Sequence, residues 1–243
     1  MHYRTEGIVL RTREYGEADL IVTFLTDDHG LINAFAKSPR KTKSRFGSSL
    51  EPLSHVRLSV WGKENAALPR LTQSDIITSF QKIRESYDCF TQVSELIELI
   101  LTCVPEKDIS FNVFGFLLSA LREVSGNCSN PVLFLSLKVK LLKIAGFAPK
   151  LGSCARCGND AHMFYFSEGS VFCSNCSTPS GQAAELSPGT IRLYECLSSW
   201  KIDKVCRVRT DEKILKELTS VIGSHVKYYI SKEKKARTDH IHV

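Results

Sequence analysis

Leu20-Ile21-Val22-Thr23-Phe24-Leu25, the turn Asp27-Asp28-His29-Gly30, and Leu31-Ile32-Asn33-Ala34-Phe35-Ala36 form the stretch on which the fold turns. Both runs are largely apolar, the first of them β-branched and aromatic, and the glycine-ended turn between them reads as a hairpin. Working outward, Gly7-Ile8-Val9-Leu10-Arg11 opens the chain with another apolar run. Val56-Arg57-Leu58-Ser59-Val60-Trp61 alternates with period two, as a half-buried strand does, and Leu71-Thr72-Gln73-Ser74-Asp75-Ile76-Ile77 is a weaker fifth strand. The polar link before the fourth strand holds Pro39, Gly47 and Pro52. Five short strands, with no helical period between the first three, predict a small closed barrel of the OB type over residues 1–80.

The period changes after Phe80. Val93, Leu96, Ile97, Ile100, Leu101 and Val104 recur at helical spacing until Pro105 ends the run. Ser110 is a candidate cap for a second helix with the stripe Phe114, Leu117, Leu118, Leu121 and Val124, stopped by Gly126. Asn130-Pro131 starts a third, carrying Leu133, Leu137, Leu141 and Ile144 and ending at Gly146. Residues 81–150 are therefore expected to be a helical bundle. Residues 151–181 gather cysteines, glycines and aromatics. From 182 to 243 helices resume behind Ser187-Pro188 and Asp211 and complete the helical domain, with a polar, frayed tail from Lys232. The expected class is α+β: a barrel, then an α-helical domain interrupted by a four-cysteine insert.

Composition bounds the function. The chain has 243 residues, 43% apolar and 24% charged, which is ordinary globular composition and excludes disorder as the main state. No apolar run approaches the ~18 residues of a membrane-crossing helix. Met1-His2-Tyr3-Arg4-Thr5-Glu6 has no apolar leader core, so the expected location is the cytoplasm. A net charge of +6 permits a polyanionic partner without requiring one.

Nine cysteines are an odd number, so they cannot all pair, and in a reducing compartment clustered cysteines point to metal before disulfide. Cys154-Ala155-Arg156-Cys157 and Cys173-Ser174-Asn175-Cys176 are two C-x-x-C knuckles fifteen residues apart. Each offers two thiolates from one tight turn, and together they suit one tetrahedral, structural zinc ion with no open position. Between them, Met163-Phe164-Tyr165-Phe166 and Ser170-Val171-Phe172 flank Glu168-Gly169 as a hairpin, the layout of a zinc ribbon. The competing reading is four thiols without metal. His162 reads as an ordinary exposed loop histidine, and Cys89, Cys103, Cys128, Cys196 and Cys206 as core or near-core thiols.

Lys37-Ser38-Pro39-Arg40-Lys41-Thr42-Lys43-Ser44-Arg45 has five basic residues in nine and no acid, between Phe35 and Phe46. Cations beside aromatics on a barrel loop suit a phosphate backbone with stacked bases. The competing reading is a solvated charge run. Lys138, Lys140 and Lys143, with Arg122, read first as a solvated helix face and secondarily as the rim of a groove for an acidic peptide. The phosphate loop, dinucleotide fingerprint, zinc-protease, nucleophile-elbow and zinc-deaminase motifs are all missing, so no enzyme is expected.

Glu6-Gly7-Ile8-Val9-Leu10, Tyr15-Gly16-Glu17-Ala18-Asp19, Leu25-Thr26 with Gly30, Ala36-Lys37 with Arg40, Ser44-Arg45, and Leu50-Glu51-Pro52 together resemble the bacterial RecO family of DNA repair proteins. The order barrel, helices, four-cysteine insert, helices agrees over nearly the whole chain. Ser38-Pro39 departs from the family, whose members commonly have glycine after the lysine. Some members lack the cysteines. The resemblance implies a recombination mediator that binds single- and double-stranded DNA and anneals complementary strands. It would act with RecR and single-stranded-DNA-binding protein to load RecA. Lys37, Arg40, Lys41, Lys43 and Arg45 would contact phosphates, and Cys154, Cys157, Cys173 and Cys176 would hold zinc. The alternative is an RNA-binding or transcription-associated zinc-ribbon protein.

Overall fold

The computed structural model describes residues 2–41, 44–63, 66, 68–105, 112–176 and 181–239, the last stretch from 229 on by backbone alone. Strands β1 (His2–Tyr15), β2 (Asp19–Thr26), β3 (Gly30–Ala36), β4 (His55–Trp61) and β5 (Arg70–Thr78) come first. Their sheet closes on itself in the order β1-β2-β3-β5-β4. All pairings are antiparallel except β3 with β5, where Phe35 faces Arg70 and Ala36 faces Leu71. Side-chain alternation accounts for the closure. Val22, Phe24, Ala34, Ala36, Val56, Leu58, Val60 and Leu71 fill the interior, and Phe46 and Leu50 plug it from the β3–β4 connection. The β2–β3 turn ends at Gly30, whose φ of +63° is the left-handed conformation that glycine adopts without steric cost.

Helices α1 (Gln81–Glu85), α2 (Tyr87–Cys103), α3 (Val113–Gly126) and α4 (Pro131–Ile144) follow. Then come β6 (Met163–Tyr165), β7 (Ser170–Phe172), β8 (Ala183–Glu185), α5 (Pro188–Ser199), α6 (Ile202–Val205) and α7 (Glu212–Asp239). The chain forms two compact units, residues 1–97 with 104–128, and residues 98–103 with 129–243. Among the described residues no helix is long and apolar enough to cross a membrane.

In the first unit Arg84 donates to the carbonyls of Pro52 and Ser79 and pairs with Glu51 at 2.9 Å, tying α1 to the barrel. Phe114 of α3 meets the His55 ring edge-on, 5.8 Å between centroids. The cap of α3 is Asn112, whose Oδ1 accepts from the Gly115 N–H at 3.0 Å; Ser110 lies outside the described residues. One expectation is corrected. Cys89 and Cys128 are not separate core thiols but a disulfide, with Cα atoms 5.3 Å apart. Their separation of 39 residues gave no sign of this, because α2 and the end of α3 bring them together.

In the second unit α4 is buried nearly all round: Val132, Leu133, Phe134, Leu135, Ser136, Leu137, Val139, Leu141 and Leu142. Val132, Phe134, Leu135, Val139 and Leu142 are buried beside the expected Leu133, Leu137 and Leu141, so the buried face is far wider than the one stripe expected, and Lys138, Lys140 and Lys143 reach toward water. Ser136 Oγ, fully buried, donates to the Leu197 carbonyl at 3.1 Å. Asn130 accepts from the N–H groups of Val132 and Leu133 and donates to the Cys206 carbonyl. The tail is helical to Asp239 rather than frayed from Lys232, and His240 and His242 lie outside the described residues.

His225 of α7 is 1% exposed, and its Nε2 lies 2.8 Å from the Phe147 carbonyl, which fixes the tautomer as an Nε2–H donor. Burial holds its imidazole below the ordinary histidine value, the Phe147 bond opposing in part. A depressed folded value means that the unfolded chain takes the proton first as pH falls. The resulting stability is present above about pH 6.5 and is lost below it. Thermal melts between about pH 8 and pH 5.5 should therefore show a smaller loss of Tm in His225→Gln than in the parent chain. Parallel pH curves would remove His225 as a cause.

Candidate nucleic-acid interface and metal centre

The basic connection leaves β3 at Ala36 and is fastened at both ends. Ser38 N–H donates to Asp19 Oδ1 at 2.6 Å, Arg40 N–H to the Ala18 carbonyl at 3.4 Å, and Lys41 N–H to the Ser38 carbonyl at 3.3 Å. The Arg45 guanidinium lies over the Phe46 ring, 4.8 Å from its centroid, and Phe46 is a barrel-core residue. Lys37, Arg40, Lys41 and Arg45 are exposed, so four of the five cations share one loop held against the β1–β2 turn. Lys43 lies outside the described residues. Arg40 is not wholly available, because it pairs with Glu14 of β1 at 3.0 Å. Both partners are well exposed, so this pair contributes at most about 1 kcal/mol and can exchange for a phosphate.

Apart from Phe35, which the sequence sets beside the loop, the barrel's outer surface carries residues that the sequence did not mark. Strand register aligns Trp61, Arg70, Phe35, Ile21 and Arg13 across all five strands. Tyr15 meets the Phe35 ring edge-on at 5.8 Å.

The two knuckles meet. The sulfurs of Cys154, Cys157, Cys173 and Cys176 all lie within 4.8 Å of one another, and Cys157 and Cys173 are 3.6 Å apart. Four sulfurs ~2.3 Å from one ion at tetrahedral corners stand roughly 3.8 Å from each other, so the set fits a metal ion. The first knuckle is a turn in which Gly158 N–H donates to the Cys154 carbonyl at 2.9 Å, with Gly158 at φ +76°. In the second, Cys176 N–H donates to the Cys173 carbonyl at 3.0 Å. Arg156 bridges them by donating to the Cys176 carbonyl at 3.1 Å. The β6–β7 hairpin sets their separation, pairing Met163 with Phe172 and Tyr165 with Ser170, while β8 adds to the free edge of β6. Fully buried Phe164 packs on Phe166 and on His225, which seats the hairpin on α7.

The thiols do not titrate alike. Backbone N–H donors, that of Cys173 first, hold the Cys154 thiol down to about 6. Hydrogen bonds with the other thiols, that of Cys157 first, push Cys176 up to about 12. Four thiols this close cannot all ionise without a cation among them, which is the electrostatic mark of a metal-ligand set. His162 stands apart, half-exposed and 3.4 Å from Asp160.

Two family profiles cover the chain: Recombination protein O N terminal over residues 1–80, and Recombination protein O C terminal over residues 84–238. The chain belongs to the RecO family. A protein of Thermodesulfovibrio yellowstonii named DNA repair protein RecO is 40% identical over 93% of this chain and 92% of its own length. The protein of the same name in Dehalococcoides mccartyi is 34% identical over 96% of this chain and 93% of its own. That of Bacillus pumilus is 28% identical over 94% and 90%.

The Ser38 backbone is held in place by a local contact. Ser38 has φ +58°, the left-handed conformation for which glycine is the usual choice. The Asp19 carboxylate on its N–H holds a serine there instead. Ser38→Gly should therefore fold at least as stably as the parent, whereas Ser38→Val should lose about 1–2 kcal/mol, because a β-branched residue is strained at positive φ. Urea melts of the two variants check this; a Val variant as stable as the Gly variant would remove the backbone explanation.

Proposed function

We propose that this chain is a recombination mediator of DNA repair that binds single- and double-stranded DNA and anneals complementary strands. On this reading it makes and breaks no covalent bond. The barrel, of OB type over residues 1–80, offers Lys37, Arg40, Lys41, Lys43 and Arg45 to phosphates, and so lets two polyanions approach. RecR and single-stranded-DNA-binding protein would be its partners, RecA the protein it helps to load, and the cytoplasm its location. Cys154, Cys157, Cys173 and Cys176 would hold one zinc ion in a ribbon over residues 151–181. The ion supplies no chemistry beyond holding the two knuckles together, because four thiolates close its coordination. Residues 81–150 and 182–243 would form the helical domain.

Membership of the RecO family across both halves of the chain carries this reading. An acidic peptide tail on a partner would find Lys143 exposed on α4. Lys140 is less suited, since its Nζ donates to the Trp200 carbonyl. The decisive experiment is annealing of two complementary oligonucleotides, with and without single-stranded-DNA-binding protein. Acceleration over the protein-free rate is expected in both. Tight binding to RNA with no annealing of DNA would favour the RNA-binding alternative.

A further inference from the structure

Cys89 and Cys128 are joined by a disulfide in the first unit, and the two halves of the bond are not alike. Cys89 is 0% exposed. Cys128 is half-buried, two residues beyond the end of α3 and next to exposed Ser129. A reagent in water therefore meets Cys128 and not Cys89. Cys89 stands in the first turn of α2, where its N–H donates to Ser86 Oγ at 3.4 Å. The free N–H groups and the helix dipole favour a thiolate at such a position. Asp88 beside it is exposed, so water screens its opposing charge. The Cα atoms are 5.3 Å apart, inside the roughly 4.4–6.8 Å range of disulfides, so the bond opens and closes without a move of the backbone. Cys103, the other cysteine of α2, is 14 residues and about 21 Å further along the helix and cannot stand in for Cys89.

A disulfide with one sulfur within reach of solvent belongs to the labile kind rather than the permanent kind. In a reducing compartment the disulfides that form at all are usually transient and redox-sensing.

We propose that Cys89 and Cys128 are a reversible thiol–disulfide site, closed by hydroperoxides and reopened by small thiols, that clasps the start of α2 to the end of α3. The proposal is separate from the DNA-binding reading. It takes its setting from the cytoplasmic location and its chemistry from the two unlike halves of the bond. In closing, the Cys128 thiolate attacks one peroxide oxygen. The O–O bond breaks, the leaving oxygen takes a proton and departs as an alcohol (as water from hydrogen peroxide), and Cys128 becomes a sulfenic acid. The Cys89 sulfur then attacks the Cys128 sulfur. The S–S bond forms, the S–O bond breaks, and the departing hydroxide carries away the Cys89 proton as water. Two thiols are oxidised and one peroxide is reduced by two electrons. In reopening, an external thiolate attacks the Cys128 sulfur, and Cys89 leaves as the thiolate that its helix terminus favours. A second external thiol frees Cys128 and departs with the first as their own disulfide. The bond spans 39 residues, most of α2 and all of α3 among them, so opening it should lower the Tm of the first unit by roughly 10 °C.

The test uses the full chain with zinc present, in vitro, and so reads the pair whatever compartment holds the protein. The chain is equilibrated in glutathione buffers from fully reduced to fully oxidised, alkylated in denaturant and read cysteine by cysteine by mass spectrometry. Cys89 and Cys128 should pass together from alkylated to disulfide within that range, while buried Cys103 stays reduced throughout. Hydrogen peroxide added to the reduced chain should close the pair. In Cys89→Ala it should leave Cys128 as a sulfenic acid that dimedone labels, and in Cys128→Ala the buried Cys89 should stay unlabelled. A pair that remains a disulfide in the most reducing buffer is a fixed staple, and one that remains reduced in the most oxidising buffer is two core thiols; either result overturns the proposal. Dimedone on Cys89 in Cys128→Ala, with none on Cys128 in Cys89→Ala, would overturn the order of attack. The titration of the parent needs neither variant, so misfolding of either leaves the proposal open to refutation.

Discussion

Purified protein should carry about one zinc ion per chain, and replacing Cys154 and Cys173 together by Ala should remove it. The four sulfurs already lie within 4.8 Å of one another, so one ion satisfies all four and none is left for a second. Loss of the ion leaves the two knuckles held by weak contacts: the Arg156 bond to the Cys176 carbonyl, the Arg156 guanidinium over Phe172, and the Ala155 N–H bond to the Val171 carbonyl. The lobe's own sheet is small, with three-residue strands, and cannot hold the turns by itself. Metal removal at such a site is among the few single lesions expected to cost about 4 kcal/mol, or roughly 8–16 °C in Tm for a chain of this size. Cys196→Ala, which changes a thiol outside the cluster, should keep both metal and Tm. Binding should also release protons and weaken as pH falls, because the ligands must be thiolates and Cys176 otherwise holds its proton to about 12. Metal analysis and melting of the two variants decide the matter: a double variant with full zinc content would remove the site.

The cysteine site was legible because ligand spacing is a local property. Two residues between thiols make a knuckle in any fold, and fifteen between knuckles leave room for a hairpin. The barrel strands were legible for the same reason: Val56, Leu58 and Val60 alternate with Arg57 within a few residues, and the β2–β3 turn announces itself by Gly30. What could not be read is set by long-range pairing. Strand β8 is Ala183-Ala184-Glu185, with no strand signature, and exists because the edge of β6 accepts it. Trp61, Arg70, Phe35 and Arg13 are scattered over more than fifty residues and join one rung around the barrel only through register. The Arg40–Glu14 pair joins the basic loop to a strand over twenty residues earlier, so the charge run looked freer than it is. The Cys89–Cys128 disulfide was hidden in the same way. Helix α4 is a local case: Val132, Phe134, Leu135, Val139 and Leu142 lie off the Leu133, Leu137 and Leu141 stripe and mark the helix as central.

The basic loop should reveal itself in the salt dependence of binding. Each phosphate neutralised on a single strand releases counterions, and the logarithm of affinity falls with the logarithm of salt by roughly 0.7 per contact. Lys37 and Lys41 are exposed and flank the fastened Ser38 turn, so Lys37→Ala with Lys41→Ala should flatten the slope by about 1.4. The loss should be the same for every sequence, since phosphate contacts position a strand without reading it. Annealing should fall in parallel, while zinc content and Tm stay near those of the parent, because exposed side chains on this connection contribute little to the core. The Arg40–Glu14 pair supplies a test of the opposite sign. Glu14 holds Arg40 at 3.0 Å and adds a negative charge beside any bound phosphate. Glu14→Gln removes both effects, and affinity should rise by up to about fivefold, the equivalent of ~1 kcal/mol for an exposed pair, with a slope slightly steeper than the parent's. A solvated charge run without a phosphate partner predicts instead three identical slopes and three identical affinities. Titrations of the parent, the double lysine variant and Glu14→Gln against one oligonucleotide over a salt series separate the two. Coincident lines would take this loop out of the interface, whereas a flatter line for the lysine variant and a higher one for Glu14→Gln would place phosphate on Lys37, Arg40 and Lys41.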